Sequence, residues 1–376
     1  MRYQKAKLIF DTSLSNADLY WATHFFAPDP FYFVQKGGKK ILLLSDLEYG
    51  RAKNEAQVSQ VRTQSFYKSR LKKNRRPENY PFDILVLFLR DLKIRSLVVP
   101  ANFPFKTALD LKRCGFSLTS SAGPFFPQRL IKTPAEKKEI QKSLRAVSQS
   151  FGKAMDILRK SRIRGHSLYF QGQRLTSEYL RGHIEQDLLS QGYTAEHTIV
   201  ACGKQTADPH CVGSGPLRPH QPIIIDIFPR SRKSGYYADM TRTVVKGRAS
   251  PALKKMYLAV LRSQREAMGQ IRAGVRGSKI HHTVCQTLET CGFKTNNKKG
   301  LPQGFIHSTG HGLGLEIHEP PRLGPGPDRL QKGHVITIEP GLYYSQIGGV
   351  RLEDVVYVTT HGCEKLSNLP QKLEIP

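Results

Sequence analysis

Short apolar runs of strand length recur through the first third of the chain: KLIFD at 7–11, FYFVQ at 31–35, KKILLLSD at 39–46, DILVLFL at 83–89 and SLVVPA at 96–101. Between them, LEYGRAKNEAQV and FKTALDLKRCGF space their apolar residues as helices do. The alternation predicts an α/β domain with a small, mixed or mostly parallel sheet. Glycine and proline at 123–127 then punctuate the chain, so the pattern predicts one domain over 1–128 and a second over 129–376. Thr133, Pro134 and Glu136 read as the start of a long polar helix running to about Lys160: an N-cap, a proline at the first helical position and an acid in the first turn. Further helices are predicted over SEYLRGHIEQDLLSQG, closed by Gly192, from Pro251 to Ile271, and from Ser278 to Thr290.

Two later segments share one pattern. IIIDIFPRSRKSGYYADMTRTVV (223–245) is strand, Gly-bearing turn, strand, and HVITIEPGLYYSQIGGVRLEDVVYV (334–358) repeats it. The first carries Asp226 and Asp239 and the second Glu339 and Glu353, one acid per arm. Buried carboxylates without partners are costly and stay protonated. Two hairpins facing one cavity would bring four together, which requires compensating cations. Salt bridges to Arg232, Arg242 and Arg351 are one solution, and metal ions are the other. Between the hairpins, FIHSTGHGLGLEIHEPPRLG places His307, His311 and His318 within twelve residues, amid glycines that permit close backbone approach.

Composition changes this picture only at the margins. The 376 residues are 39% hydrophobic and 23% charged, as in globular proteins. No apolar run is long enough to span a bilayer, and the opening MRYQKAKLIFD lacks the apolar core of an export signal, so a cytoplasmic protein is expected. The six cysteines are scattered with no CxxC pair, which points away from a disulfide framework or thiolate zinc and towards small buried hydrophobes. A net charge of +28 attracts polyanions non-specifically. Its densest run, KSRLKKNRRPENYP at 68–81, reads as a solvated loop or helix end.

DMTRT following Asp226, then GHGLGLEIHE, ITIEPGLY and VRLEDVV, together resemble the pita-bread metallopeptidases: aminopeptidase P, prolidase, methionine aminopeptidase and the relative creatinase. The resemblance covers residue 129 to the C-terminus. It extends more weakly to ADLYWATHFFAPDPFYFV and KKILLLSD, which resemble the N-terminal domain of the aminopeptidase P/prolidase branch. It implies an α/β N-terminal domain of the creatinase/prolidase type, followed by an α+β pita-bread catalytic domain with halves related by a pseudo-two-fold.

The same resemblance implies that Asp226, Asp239, His311, Glu339 and Glu353 ligate two divalent ions, with Asp239 and Glu353 bridging. Such oxygen-rich ligands suit manganese, with cobalt or zinc as alternatives. Glu339 would be the general base for a metal-activated water. His210, His307 and His318 would orient substrate and stabilise the tetrahedral intermediate. Arg351, on the strand face of Glu353, would fix a carboxylate or a substrate terminus, or neutralise the acids.

The implied activity is Xaa-Pro aminopeptidase on proline-containing peptides, in a homodimer. A dipeptidase, a non-catalytic binding member of the fold and a creatinase-like hydrolase are the alternatives. One departure stands out: relatives have Asp-x-Gly where this chain has Asp226-Ile227-Phe228-Pro229.

Overall fold

The computed structural model describes residues 5–71, 80–121, 123–298 and 301–376. The chain divides into two compact units, Met1–Arg129 and Leu130–Pro376. Among the described residues, no helix is long and apolar enough to cross a membrane.

The first unit is built on six strands: β1 (Ala6–Asp11), β2 (Phe31–Lys36), β3 (Lys39–Leu44), β4 (Gln60–Thr63), β5 (Ser96–Val99) and β6 (Ser117–Ser120). They form one sheet in the order β4-β3-β2-β1-β5-β6, antiparallel in the centre and parallel towards both edges. Helices α1 (Ala17–Thr23), α2 (Asp46–Glu55), α3 (Gln64–Lys68), α4 (Tyr80–Asp91) and α5 (Phe105–Arg113) complete it. Because side chains alternate along a strand, Leu8, Val34 and Leu43 enter one core while Ile9, Phe33 and Leu42 enter another.

The run 83–89, expected as a strand, lies inside α4. A seven-residue apolar run fits either structure. Here the helix extends beyond the run on both sides, to Tyr80 and Asp91, and buries Ile84, Leu85, Phe88 and Leu89, which recur at helical spacing. The basic run 68–81 begins in the last turn of α3, and its residues 72–79 lie outside the described residues. The cysteines are less buried than expected: Cys202 is buried, Cys114 is exposed and the other four are intermediate.

The second unit opens with α6 (Pro134–Lys160), whose start is a full capping box. Thr133 Oγ1 accepts the Glu136 N–H, and Glu136 Oε2 accepts the Thr133 N–H. The other Glu136 oxygen accepts the Tyr236 hydroxyl at 2.7 Å, and Ser143 Oγ donates to the Tyr236 carbonyl at 3.1 Å. The helix therefore holds the turn of the first Asp-bearing hairpin.

A small antiparallel sheet of β7 (Arg162–Arg164), β8 (Ser167–Phe170) and β9 (Gln173–Arg174) follows, then α7 (Ser177–Ser190) with Gly192 at φ 84° just beyond it. Next come β10 (Tyr193–Thr194), β11 (Ile199–Cys202), β12 (Ile223–Ile227), β13 (Arg230–Ser231) and β14 (Met240–Lys246). Helices α8 (Pro251–Gln270) and α9 (Gly277–Thr290) precede the short pair β15 (Asn296–Lys298) and β16 (Leu301–Gln303). The chain closes with β17 (Val335–Ile338), β18 (Gly341–Tyr344), β19 (Gly348–Arg351), β20 (Asp354–Val358), β21 (Cys363–Lys365) and β22 (Glu374–Ile375). One sheet runs β11-β12-β14-β22, another β17-β20-β21, and β10-β13, β15-β16 and β18-β19 are two-stranded.

The second hairpin is not the continuous ladder its sequence suggests. β17 pairs with β20 and β18 with β19, and both arms break between these pairs, at Glu339-Pro340 and at Leu352-Glu353. Proline lacks an N–H, so it cannot continue the ladder. The break leaves main-chain carbonyls in the interior, where each needs a donor. Gln264 of α8 supplies them: its Nε2 donates to Ile338 O at 2.9 Å and to Leu352 O at 3.0 Å. Gln371 Nε2 in turn donates to Gln264 Oε1 at 2.6 Å and to Asp354 Oδ2 at 3.0 Å.

The two hairpins are joined edge to edge. Thr243 Oγ1 donates to Arg351 O and accepts its N–H, both at 3.0 Å, and the Glu353 N–H reaches Thr241 O at 3.1 Å. Replacing Gln264 by leucine keeps the volume but orphans two buried carbonyls. Gln264→Leu should destabilise the protein by about 2–6 kcal/mol in denaturant unfolding, from roughly 1–3 kcal/mol for each of the two unsatisfied buried carbonyls.

Candidate metal centre

Asp226 lies within β12, and its cross-strand partner on β14 is Thr241. Asp239 immediately precedes β14, two residues from Thr241, so the two aspartates are diagonal neighbours on one sheet face. Glu339 and Glu353 occupy the two breaks of the second hairpin. Asp226, Asp239 and Glu353 are buried, and Glu339 is half-buried.

His311 reaches these acids because its flanking glycines permit close packing. A Cβ at Gly310 would sit 2.0 Å from Thr337 O, and one at Gly312 would sit 2.3 Å from Pro320 O. His311 exchanges hydrogen bonds with Thr337 of β17, N–H to Oγ1 at 3.1 Å and carbonyl to N–H at 2.8 Å.

His311 Nε2 lies 3.2 Å from Glu339 Oε1 and 3.6 Å from Asp239 Oδ2. Ligand atoms of Asp239, His311 and Glu353 all fall within 4.8 Å of one another. The other ring nitrogen, Nδ1, is 3.0 Å from Gly312 O. A carbonyl only accepts, so Nδ1 carries a proton, and Nε2 is the nitrogen that faces the carboxylates. A ring fixed in this way offers Nε2 to a cation held among the acids; where a proton takes the place of that cation, the same nitrogen bonds Glu339.

The electrostatics carry the same message. Burial, and then the charge of Asp226, push Asp239 well above the usual carboxylate range. Burial, and then Asp239, do the same to Glu353. Burial works against ionising Glu339, but the hydrogen bond and charge of His311, with His307 and Arg351, outweigh it and hold Glu339 down to about 2. Burial also opposes the charge on His311, yet Glu339 and Asp239 lift it to about 9. The cluster thus takes up protons where positive charge is wanted. Asp226 Oδ1 and Glu353 Oε1 are buried with no hydrogen-bond partner. Two orphaned carboxylate oxygens, one imidazole lone pair and two further acids fit divalent cations with hard-to-borderline preferences.

Of the arginines that could have neutralised the acids, Arg351 alone joins the cluster. Its Nη2 donates to Asp226 Oδ2 at 2.7 Å, Nη1 to Tyr343 Oη at 2.9 Å and Pro209 O at 3.2 Å, and Nε to Thr241 Oγ1 at 3.3 Å. These donors are spent inside the protein, so Arg351 fixes a carboxylate. Arg242 instead pairs with Asp354 at 2.7 Å and holds the Glu353 carbonyl at 2.5 Å, and Arg232 is exposed. One guanidinium against four carboxylates leaves the cluster short of positive charge.

The remaining histidines differ in kind. His307 Nδ1 donates to Ser308 O at 2.8 Å, and Nε2 lies 2.9 Å from Tyr343 Oη. Burial lowers the His307 pKa and pushes Tyr343 up to about 12, so Tyr343 donates to His307 while accepting from Arg351. Both ring nitrogens of His307 are therefore engaged. His318 is exposed and packs edge-on to His311 with ring centroids 4.3 Å apart; burial and then the His311 charge lower its pKa. His210 is exposed in a turn whose N–H bonds Asp208 Oδ1 at 3.0 Å, and its charge acts on both His307 and His318. Phe228 is half-buried beside the buried Pro229, whose carbonyl accepts the Ala238 N–H at 3.0 Å.

Sequence reasoning missed Thr241, Tyr343 and Gln264, and expected Arg242 as a salt-bridge partner of the clustered acids, whereas it pairs with Asp354. Thr241 donates to Glu353 Oε2 at 2.8 Å, Tyr343 links Arg351 to His307, and Gln264 and Arg242 support the backbone of the glutamates. Only Thr241 had a visible signal, since alternation puts it on the face of Asp239.

The sequence pattern of metallopeptidase family M24 matches residues 138–360. The peptidase YqhT of Bacillus subtilis is 31% identical over 66% of this chain and 65% of its own length. A Xaa-Pro dipeptidase of Pyrococcus furiosus is 26% identical over 91% of this chain and 88% of its own. The crystal structure of an X-Pro aminopeptidase from Thermotoga maritima superposes with a TM-score of 0.81 at 23% identity, covering 98% of this chain and 97% of that one, a likeness of fold. With most of the second unit matched and the carboxylate–histidine cluster at its centre, the chain belongs to metallopeptidase family M24.

Proposed function

We propose that the protein is a dinuclear Xaa-Pro exopeptidase whose Asp226, Asp239, His311, Glu339 and Glu353 hold two divalent ions, manganese by preference. The observation that carries this reading is the aim of His311 Nε2 into a cluster of four carboxylates with two orphaned oxygens. When bound, such ions lower the pKa of a water and polarise the scissile carbonyl.

The protein's own groups do the rest. Glu339, kept ionised by His311, His307 and Arg351, accepts the proton of the attacking water and passes it to the departing proline nitrogen. His318, beside His311 and exposed on its other side, donates to the oxygen that gains charge. His307, Tyr343 and Arg351 hold Asp226 and the wall of the site. The Xaa-Pro bond offers no N–H, so recognition has to rest on contacts of this kind at the carbonyl and the termini.

The expectation from sequence leaned towards longer peptides. The dipeptide alternative has a candidate for its further contact in exposed Arg322, four residues beyond His318. A dipeptide presents its free carboxylate one residue from the bond cut, and a cation such as Arg322 would bind it there. The Pyrococcus furiosus relative that matches nearly end to end, a Xaa-Pro dipeptidase, supports the same choice.

Chelation should abolish hydrolysis and manganese restore it. Asp239→Asn should leave dialysed protein with fewer bound ions by elemental analysis. His318→Ala should keep the full metal content while kcat falls on the order of 10²–10³-fold; unchanged kcat would remove His318 from the reaction. Arg322→Ala should raise KM for Xaa-Pro dipeptides by roughly 10-fold or more, from the loss of a charge-assisted hydrogen bond, and leave Xaa-Pro-Yaa amides untouched. Equal effects on both would exclude Arg322 as the carboxylate contact.

A further inference from the structure

Outside the carboxylate cluster, the end of α6 and the β7–β8–β9 sheet enclose a cavity of about 390 Å³. It is lined by Lys160, Arg162, Arg164, Tyr169 and Phe170, with Gln171 and Gly172 at one edge, and no carboxylate lines it. Its three cations form no ion pair among the described residues. The nearby acid, Asp156, is taken by Arg159 at 2.7 Å.

Strand register sharpens the arrangement. Arg162 lies opposite Tyr169, and Tyr169 lies opposite Arg174 on the other side. By alternation Arg164 shares this face, and its guanidinium sits 5.4 Å over the Tyr169 ring. Ile163 and Leu168 point the other way, and Leu168 is fully buried. One face of a three-stranded sheet thus presents a tyrosine surrounded by three guanidiniums. Arg162 and Arg164, two residues apart on the same strand face, repel one another, and they are stabilised when an anion joins them.

We propose that this cavity is a nucleotide site, with the base stacked at Tyr169 and the phosphate held by Lys160, Arg162 and Arg164. Aromatic rings flanked by cations on a small exposed sheet bind bases through their faces and phosphates through charge. The volume suits one nucleotide, and the concave shape distinguishes the site from the general positive field of a +28 chain. The nucleotide is either free or one unit of a single strand, and both sources present the same chemistry.

The test uses the full chain, with fluorescein-labelled dT12 followed by polarisation and 5′-AMP by calorimetry, at 50 and 200 mM salt. The variants are Arg162→Glu/Arg164→Glu, Tyr169→Leu, and Lys138→Glu/Arg145→Glu, which makes the same charge change at exposed positions on α6. The expected result is a loss of at least 10-fold in affinity for the first pair, roughly 5-fold or more for Tyr169→Leu, and less than 2-fold for the control pair. Hydrolysis of Xaa-Pro substrate by all variants stays at the wild-type rate and verifies folding. Binding of 5′-AMP identifies a free nucleotide, and binding of dT12 alone identifies a strand. Equal losses for the two charge-reversal pairs, no effect of Tyr169→Leu, or no binding of either probe at 50 mM salt overturns the proposal.

Discussion

Four carboxylates drawn into one interior cluster, with a single guanidinium to offset them, are the constraint around which the second unit is built. Left alone, the cluster would protonate or push itself apart. Each neighbouring device either supplies positive charge or keeps an oxygen in position. Arg351 spans Asp226 and Tyr343, Thr241 holds one oxygen of Glu353, and His311 turns Nε2 inward because Gly312 O engages Nδ1. The broken ladder of the second hairpin belongs to the same account. A regular strand pair would send Glu339 and Glu353 along a flat face, whereas the break lets both enter the cavity, with Gln264 satisfying the carbonyls exposed there.

The buried Arg242–Asp354 pair shows how support differs from chemistry. Arg242 touches none of the four clustered carboxylates, but it holds the main-chain carbonyls of Thr241 and Glu353 and those of Leu369 and Pro370. A desolvated pair of this kind is poor evidence of stability, because removing two charges from water costs about as much as their attraction returns. Its value is geometric: five donor contacts fix two hairpins and a loop relative to one another. The buried pair of Lys132 with Glu319 does similar work next to His318, on the segment that carries the exposed histidine.

Much of the site was legible in the sequence, because acids in apolar strands and histidines among glycines violate ordinary patterning and so announce themselves. The helix starts at Thr133 and Pro251 were legible for a related reason: capping chemistry is local, and Ser250 Oγ accepts the Leu253 N–H just as Thr133 serves Glu136. What failed was non-local. The run 83–89 could be either element until its packing was known. Gln264 looked like any polar residue on an amphipathic helix, although it is fully buried against carbonyls 74 and 88 positions away in sequence. Arg351 was open between three roles until its donors were seen to be spent.

The support for Glu353 has a consequence in time. Asp226 and Asp239 leave the ribosome early, but Asp354 is held by Ser367 Oγ at 2.7 Å and by Gln371, and Gln371 also fixes Gln264. Until residues 367–371 have been synthesised and folded back, the acids of the first hairpin face an unfinished wall. A nascent chain therefore has no ordered site with which to capture ions or cut peptides. Assembly of the cluster is thus gated by synthesis of the segment that carries Ser367 and Gln371.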